Sequence, residues 1–203
     1  MSFRRELKSI IFKNKIDKLK KWIFHNKGEI LHPERNINSL YLDNKRLSMY
    51  RDSVEGSVPR KKIRIRNYNN YPVFDLKNNK LEFKISSAEG RYKTTKNTKN
   101  INLFSFKISD MDYGPCTPNI CVSYKRIYYS VQNIRLTIDR NIVYRRVKLG
   151  RISNFLQIEP YNVVEIKYKN HAFDDLVKTF PFHFVRFSKY SRGIEFINKK
   201  HGL

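Results

Sequence analysis

From Leu40 onward, short stretches rich in Ile, Val, Tyr, Phe and Thr alternate with charged residues at period two, and clusters of Asn, Gly, Asp and Pro separate them. Because a strand turns successive side chains to opposite faces, this alternation predicts antiparallel strands, each with one apolar and one polar face. In Lys61 to Tyr68, Ile63 and Ile65 face one way while Lys62, Arg64 and Arg66 face the other. Glu82 and Lys84 share a face opposite Leu81, Phe83 and Ile85; Glu165 and Lys167 share one opposite Val164, Ile166 and Tyr168. A third Glu-x-Lys dyad, Glu6 and Lys8, flanks Leu7 ahead of Ile10 and Ile11. Tyr124, Arg126 and Tyr128 form another polar face, as do Arg135, Thr137 and Asp139.

Three stretches carry a helical period instead. Ile16, Leu19 and Ile23 recur with lysines between them in Lys13 to Phe24, with Asn14 as candidate cap. Leu47 and Tyr50 mark a short helix over Asp43 to Ser53, capped by Asp43 or Asn44. Phe173, Leu176, Val177 and Phe180 mark a third, stopped by Pro181. The Asn/Lys-rich stretch Thr94 to Asn102 reads as a loop, and no repeat of about 20 to 50 residues stands out. Residues 1–203 are therefore expected to form one domain of the α+β class, mainly antiparallel β.

Charge adds a partner to this picture. The chain holds 42 Lys and Arg against 18 Asp and Glu, a formal net charge of +24. Self-repulsion on that scale raises the free energy of the compact state and points to a polyanion as working partner. With 40% hydrophobic residues, including 14 Phe and 13 Tyr, the chain has the means to build a core, which argues against disorder. No apolar run reaches about 18 residues, and Met1 to Arg5 lead into charged sequence. A cytoplasmic protein is expected, with peripheral membrane attachment through a partner as the alternative.

Several residue types carry no site. Cys116 and Cys121 have no second pair to complete a zinc site and read as free thiols. His25, His32, His171, His183 and His201 lack metal-ligand spacing and read as surface or packing residues, and Trp22 as core or as a cap for the barrel. No phosphate-cradling Gly-rich motif is present among the seven glycines.

The polar faces supply the chemistry. A single strand with three cations would be an ordinary wet face, but recurrence on strand after strand points to a shared surface. A closed barrel with its charged faces inward would converge them on a tunnel and pack its apolar faces against outer helices. The reverse orientation, with an apolar interior and a basic exterior, stays open on pattern alone. In a tunnel, fixed guanidinium and ammonium groups would spread over the oxygens of a phosphate chain, while neighbouring glutamates hold the cations and can bind a divalent metal. Phosphoryl transfer needs positioning and charge stabilisation, so no serine or cysteine nucleophile is required.

These residues resemble the VTC domain, the catalytic domain of eukaryotic polyphosphate polymerases and shorter bacterial relatives. The matching pieces are Arg-Arg-Glu-Leu-Lys at 4–8, Ser-Leu-Tyr-Leu-Asp-Asn at 39–44, Arg-Lys-Lys-Ile-Arg-Ile-Arg-Asn-Tyr at 60–68 and Leu-Glu-Phe-Lys at 81–84. Ser-Tyr-Lys-Arg at 123–126, Arg-Leu-Thr-Ile-Asp-Arg at 135–140, Val-Glu-Ile-Lys-Tyr-Lys at 164–169 and Phe-Ser-Lys-Tyr-Ser-Arg-Gly at 187–193 follow in the family's order. The resemblance implies a closed antiparallel triphosphate tunnel with a few flanking helices, ATP as phosphoryl donor, polyphosphate as acceptor, and Mn2+ or Mg2+. It implies that Arg64 and Arg66 are the phosphate-binding arginine pair, and Lys189 a catalytic cation. Lys8, Lys62, Lys84, Lys93, Arg126, Arg135 and Lys167 become phosphate contacts, and Tyr124 and Ser188 hydroxyl contacts. Glu165 becomes the metal-binding carboxylate; its other reading is a salt-bridge partner that orients Lys167.

Two departures qualify the resemblance. The 203 residues hold no counterpart of the inositol-phosphate-sensing region or membrane helices of the full-length eukaryotic members. At Ser86 the larger catalytic subunits carry a histidine, whose ring serine cannot supply. The leading expectation is metal-dependent transfer of the ATP γ-phosphoryl group to phosphate or polyphosphate. A triphosphate or polyphosphate hydrolase and a non-catalytic polyanion-binding module are the alternatives, and nucleic acid is not expected as a specific ligand.

Overall fold

Alternation becomes strand wherever the sequence carries it. The structure, a computed structural model, describes residues 5–72, 74, 79–98, 101–103, 105–169 and 173–199. The strands are β1 (Arg5–Phe12), β2 (Glu29–Asp43), β3 (Arg60–Asn67), β4 (Asn79–Ser87), β5 (Gly90–Thr98), β6 (Ile108–Asp110), β7 (Gly114–Val131), β8 (Ile134–Lys148), β9 (Arg151–Ile158) and β10 (Tyr161–Tyr168). The helices are α1 (Ile16–His25), α2 (Ser48–Glu55), α3 (Asp174–Lys178) and α4 (Lys189–Lys199). Strands hydrogen-bond in the order β1-β10-β8-β7-β2-β3-β4-β5, with β6 on β7 and β9 on β8. The registered pairs are antiparallel. Among the described residues this order is an open path from β1 to β5 rather than a ring. No helix among them is long and apolar enough to cross a membrane.

The chain divides into two compact units, each assembled from three separate stretches. The first comprises 1–35, 124–142 and 159–187, and the second 36–123, 143–158 and 188–203.

In the first unit the period-two pattern holds, apart from Ser9 on the apolar face and Ile10 and Val163 on the charged one. Ile11 of β1, Leu136 and Ile138 of β8, and Val164, Ile166 and Tyr168 of β10 join one buried cluster with Leu19, Trp22 and Ile23 of α1 and Val177 of α3. The helices thus cover the apolar face, and the charged residues of the same strands lie on the other. Trp22 is core, as expected, and donates its indole N–H to Thr179 Oγ1 at 3.0 Å. The first helix begins as a 3-10 turn at Lys13–Lys15 before α1 proper, and Asn14 makes no cap there. The His25 ring bonds to the Lys21 carbonyl and the His183 backbone carbonyl accepts the Ser9 hydroxyl, whereas His171 and His201 lie outside the described residues.

In the second unit, Leu40 and Leu42 of β2 and Ile63 and Ile65 of β3 are fully buried. The helix expected over Asp43 to Ser53 starts later, because Asp43 ends β2 and Leu47 turns through a left-handed conformation at φ 54°. Both candidate caps nevertheless act across that turn. Asp43 accepts the N–H groups of Met49 and Tyr50, and Asn44 those of Arg46 and Ser48. Thr94 to Thr98 belongs to β5 rather than to a loop; its side chains alternate while β4 supplies the backbone partners that a sequence window cannot show. Residues 99 and 100 lie outside the described set. Cys116 and Cys121 are buried thiols, Cys121 pushed up to about 12 by burial.

Helix α4 was not foreseen. Gly193 at its centre lowers helical propensity, yet a Cβ there would lie 2.4 Å from Ile120 and 2.7 Å from the Tyr144 ring, both buried. Close approach to β7 and β8 therefore demands glycine. Gly193→Ala should overpack this contact at about 1–3 kcal/mol, against about 1 kcal/mol of propensity gained. Thermal unfolding followed by circular dichroism is expected to show a lower Tm by about 2–6 °C.

Candidate functional site

Directly opposed residues of an antiparallel pair share a face, so register identifies what each polar face holds. In the second unit, β2, β3, β4 and β5 stack in rows: Ser39–Arg66–Lys80, Tyr41–Arg64–Glu82, Lys62–Lys84–Lys93 and Arg60–Ser86–Arg91. Like charges placed directly across a sheet repel. Among the described residues of β3, β4 and β5 on this face, Glu82 is the sole carboxylate.

Glu82 holds the face together. It is buried; its Oε2 accepts Arg64 Nε at 2.6 Å, its Oε1 accepts Lys93 Nζ at 2.6 Å, and Arg66 Nη1 lies 3.9 Å away. Burial pushes the carboxyl upward, but Arg64, Arg66 and Lys93 outweigh it and hold its pKa at about 2. Arg64 also donates from Nη1 to Tyr41 Oη at 3.2 Å, and Arg66 Nε reaches Ser39 Oγ at 3.4 Å. The two arginines are therefore oriented from both sides. Tyr41 is buried, which raises its pKa, yet the charges of Arg64, Arg66 and Lys189 bring it below the ordinary phenol value.

Helix α4 feeds the same face. Ser188 Oγ accepts Ser191 N–H at 3.3 Å, capping the helix, and also accepts Lys62 Nζ at 2.8 Å. Lys189 stands in a first turn that holds no acidic residue, where the helix dipole opposes its charge. Tyr190 donates its hydroxyl to buried Asp43 and stacks on Tyr41 with centroids 5.1 Å apart at 23°. That anchor fixes the helix start.

The first unit builds a different surface. Glu6 opposes Lys167, and Lys8 opposes Glu165, so the two dyads interleave with alternating sign. Lys167 lies 2.6 Å from Glu165 and 3.3 Å from Glu6, and Lys8 lies 3.3 Å from Glu6 and 4.0 Å from Glu165. Burial would raise the Glu165 pKa, but Lys167, Lys8 and Arg126 draw it well below the carboxylate range. Arg126 makes a two-point contact with fully buried Asp139, Nη2 to Oδ2 at 2.7 Å, beneath the Tyr124 ring at 5.3 Å. Burial works against its charge; Asp139 more than restores it, leaving the Arg126 pKa raised. Arg135 is exposed and stands across from Lys167.

The residues expected from sequence thus gather in two clusters. Lys62, Arg64, Arg66, Lys84, Lys93, Ser188 and Lys189 belong to the second unit, and Lys8, Tyr124, Arg126, Arg135, Glu165 and Lys167 to the first. Glu82 shares its face with Lys84, as expected, and its ion pairs include Arg64 and Lys93 on the neighbouring strands. Tyr41 was missed, although Ser39, Tyr41 and Asp43 alternate with Leu40 and Leu42 and so announce a polar face. Asp139 was placed on the right face without its role as the seat of Arg126. No three described His, Cys, Asp or Glu residues could hold a metal ion together.

The clamp makes a pH prediction. Glu82 has a folded pKa near 2 against an ordinary 4.5, so it binds protons more readily unfolded, and its stabilisation is complete above about pH 4.5. It is lost as pH falls from about 4.5 through 2. Glu82→Gln should cost about 3 kcal/mol at pH 7 and nothing extra near pH 2, read from urea unfolding at stepped pH.

Comparison with solved structures gives fold relatives of low identity. A candidate adenylate cyclase from Vibrio parahaemolyticus superposes with a TM-score of 0.54 at 12% identity, covering 96% of this chain and 98% of that one. A candidate adenylyl cyclase from Hippeastrum, described as having a dominant triphosphatase activity, gives 0.52 at 13% identity and covers 96% of each chain. These likenesses establish the shared, mainly antiparallel fold. Comparison with curated proteins finds none that matches. The profile of the VTC domain matches residues 3–198, and the chain belongs to the VTC domain family.

Proposed function

We propose that this protein is a phosphoryl-transfer enzyme of the triphosphate-tunnel type, moving the γ-phosphoryl group of ATP to phosphate or polyphosphate. The observation that carries this reading is the face of β3, β4 and β5, where rows of Arg and Lys meet one carboxylate. Such a face is an anion site by electrostatics alone, and in a VTC-family chain the anion is a phosphate chain. ATP as donor fits a cytoplasmic location. Residues 1–203 are taken as one functional domain, because β2, β7 and β8 run through both units and neither unit is a continuous stretch.

In this reading Arg64 and Arg66 bind the transferring phosphoryl group from positions fixed by Glu82, Tyr41 and Ser39. Lys62, Lys84, Lys93 and Lys189 neutralise the neighbouring phosphates, and the Ser188 hydroxyl adds a contact. An acceptor phosphate oxygen attacks the γ-phosphorus, the bond to the bridging β–γ oxygen breaks, and ADP leaves with that oxygen. Lys8, Arg126, Arg135 and Lys167, with the Tyr124 hydroxyl, are proposed as further phosphate contacts in the first unit. Glu165, with Glu6 nearby, offers hard oxygen donors, but both are already paired with lysines. That donor set fits Mn2+ or Mg2+ carried in on phosphate oxygens rather than an ion caged by protein. Such an ion would add charge neutralisation to the phosphate chain.

Hydrolysis is the second reading, favoured by the triphosphatase activity given for the Hippeastrum relative. Water then takes the acceptor's place. Incubation of purified protein with ATP and Mn2+ is expected to yield ADP and polyphosphate chains. Free phosphate from tripolyphosphate without chain growth would select the hydrolase, and binding with no product a binding module. Equal competition by duplex DNA and tripolyphosphate would overturn the phosphate-chain site. Arg64→Ala and Arg66→Ala should each lower kcat/KM by about 10²–10³.

A further inference from the structure

Tyr41 is a buried phenol whose oxygen already accepts a hydrogen bond from Arg64 Nη1 at 3.2 Å. Its own proton has no acceptor among the described residues. The groups around it are unsuited to be one: Arg64 stands directly across on β3, Arg66 sits in the next row on the same face, and both are donors only. Behind it, the Tyr190 ring stacks at 5.1 Å, and the Tyr190 hydroxyl is committed to Asp43. Asp43 in turn accepts the backbone N–H groups of Asn44, Met49 and Tyr50, so it is fully occupied in holding that ring. A donor held rigidly among cations, with its lone pair used and its proton unclaimed, is arranged for an anion.

We propose that Tyr41 is a substrate-binding residue, donating its hydroxyl proton to a phosphate oxygen held by Arg64 and Arg66. The inference rests on the proposed phosphate-chain site and adds to it a neutral donor at the arginine pair. It also assigns Tyr190 a positioning role: its ring is the wall that keeps the Tyr41 phenol on the arginine side. The cations that draw the Tyr41 pKa below the ordinary phenol value make the hydroxyl a better donor.

Isothermal titration of the purified protein with tripolyphosphate is the test, on wild type, Tyr41→Phe and Arg64→Ala. Tyr41→Phe preserves the ring and its stack and removes one hydroxyl. It is expected to weaken binding about tenfold, or about 1.4 kcal/mol, while thermal unfolding of the ligand-free protein shows it folded. Wild-type affinity in Tyr41→Phe, together with loss in Arg64→Ala, would overturn the role of Tyr41 and leave the phosphate site standing. Absence of binding by wild type would overturn both. A second measurement needs no variant. In alkaline titration of wild type followed by phenolate absorbance, one tyrosine should ionise ahead of the others in the free protein. Bound tripolyphosphate should shift it to higher pH, because a phenolate beside phosphate is disfavoured. An early-ionising tyrosine that ignores the ligand would count against the contact.

Discussion

Repulsion between like charges across a sheet is the constraint from which the rest of this structure follows. Two cations about 5 Å apart at an effective dielectric of 20 oppose each other by about 3 kcal/mol. The row Lys62–Lys84–Lys93 sets three lysines side by side, and the rows on either side add Arg60, Arg91, Arg64 and Arg66. Solvent relieves part of it. Glu82 relieves another part by touching Arg64 and Lys93 and lying near Arg66, which is why so acidic a carboxyl sits buried. What remains is a face whose electrostatics favour an anion, as the proposed function requires.

The two clusters answer that constraint in opposite ways. In the first unit, two glutamates and two lysines alternate in sign, and Arg126 is matched by Asp139. In the proposed function a phosphate arriving there competes with carboxylates already in place. On the β3–β4–β5 face the described strand residues hold one carboxylate, Glu82, among their cations. The face of the second unit is thus unbalanced in sign, whereas the lattice of the first is balanced. A buried, fully paired lattice of that kind costs desolvation, yet leaves its charges fixed in place.

Much of this was legible in the sequence, for a physical reason. Period two is a local property, and Lys62-Ile63-Arg64-Ile65-Arg66 declares its two faces without any neighbour. The residue sets of both clusters could be read from alternation and family resemblance. Register could not, because which strand lies beside which is decided by long-range pairing. Hence the dyad Glu82 and Lys84 could not reveal the partners of Glu82 that lie 18 and 11 residues distant. Helix α4 was hidden by Gly193, whose local cost is repaid by close packing on Ile120 and Tyr144. The Thr94–Thr98 segment was hidden by composition, since Asn, Lys and Thr mark loops unless a neighbour such as β4 claims their backbone.

Asp43 shows how far from the cations the arrangement is fixed. A buried carboxylate must be well supplied with donors, and this one has three backbone N–H groups and the Tyr190 hydroxyl. The backbone donors tie the end of β2 to the start of α2, while the hydroxyl ties both to α4. Because Ser188 and Lys189 immediately precede Tyr190, locking that ring sets where the capping serine meets Lys62 and where the helix places its unfavourable lysine. The geometry of Tyr41, Ser188 and Lys189 thus descends from Asp43. The cations are positioned both by Glu82 and by this scaffold of hydroxyls and backbone donors, and their readiness for an anion comes from the scarcity of carboxylates beside them.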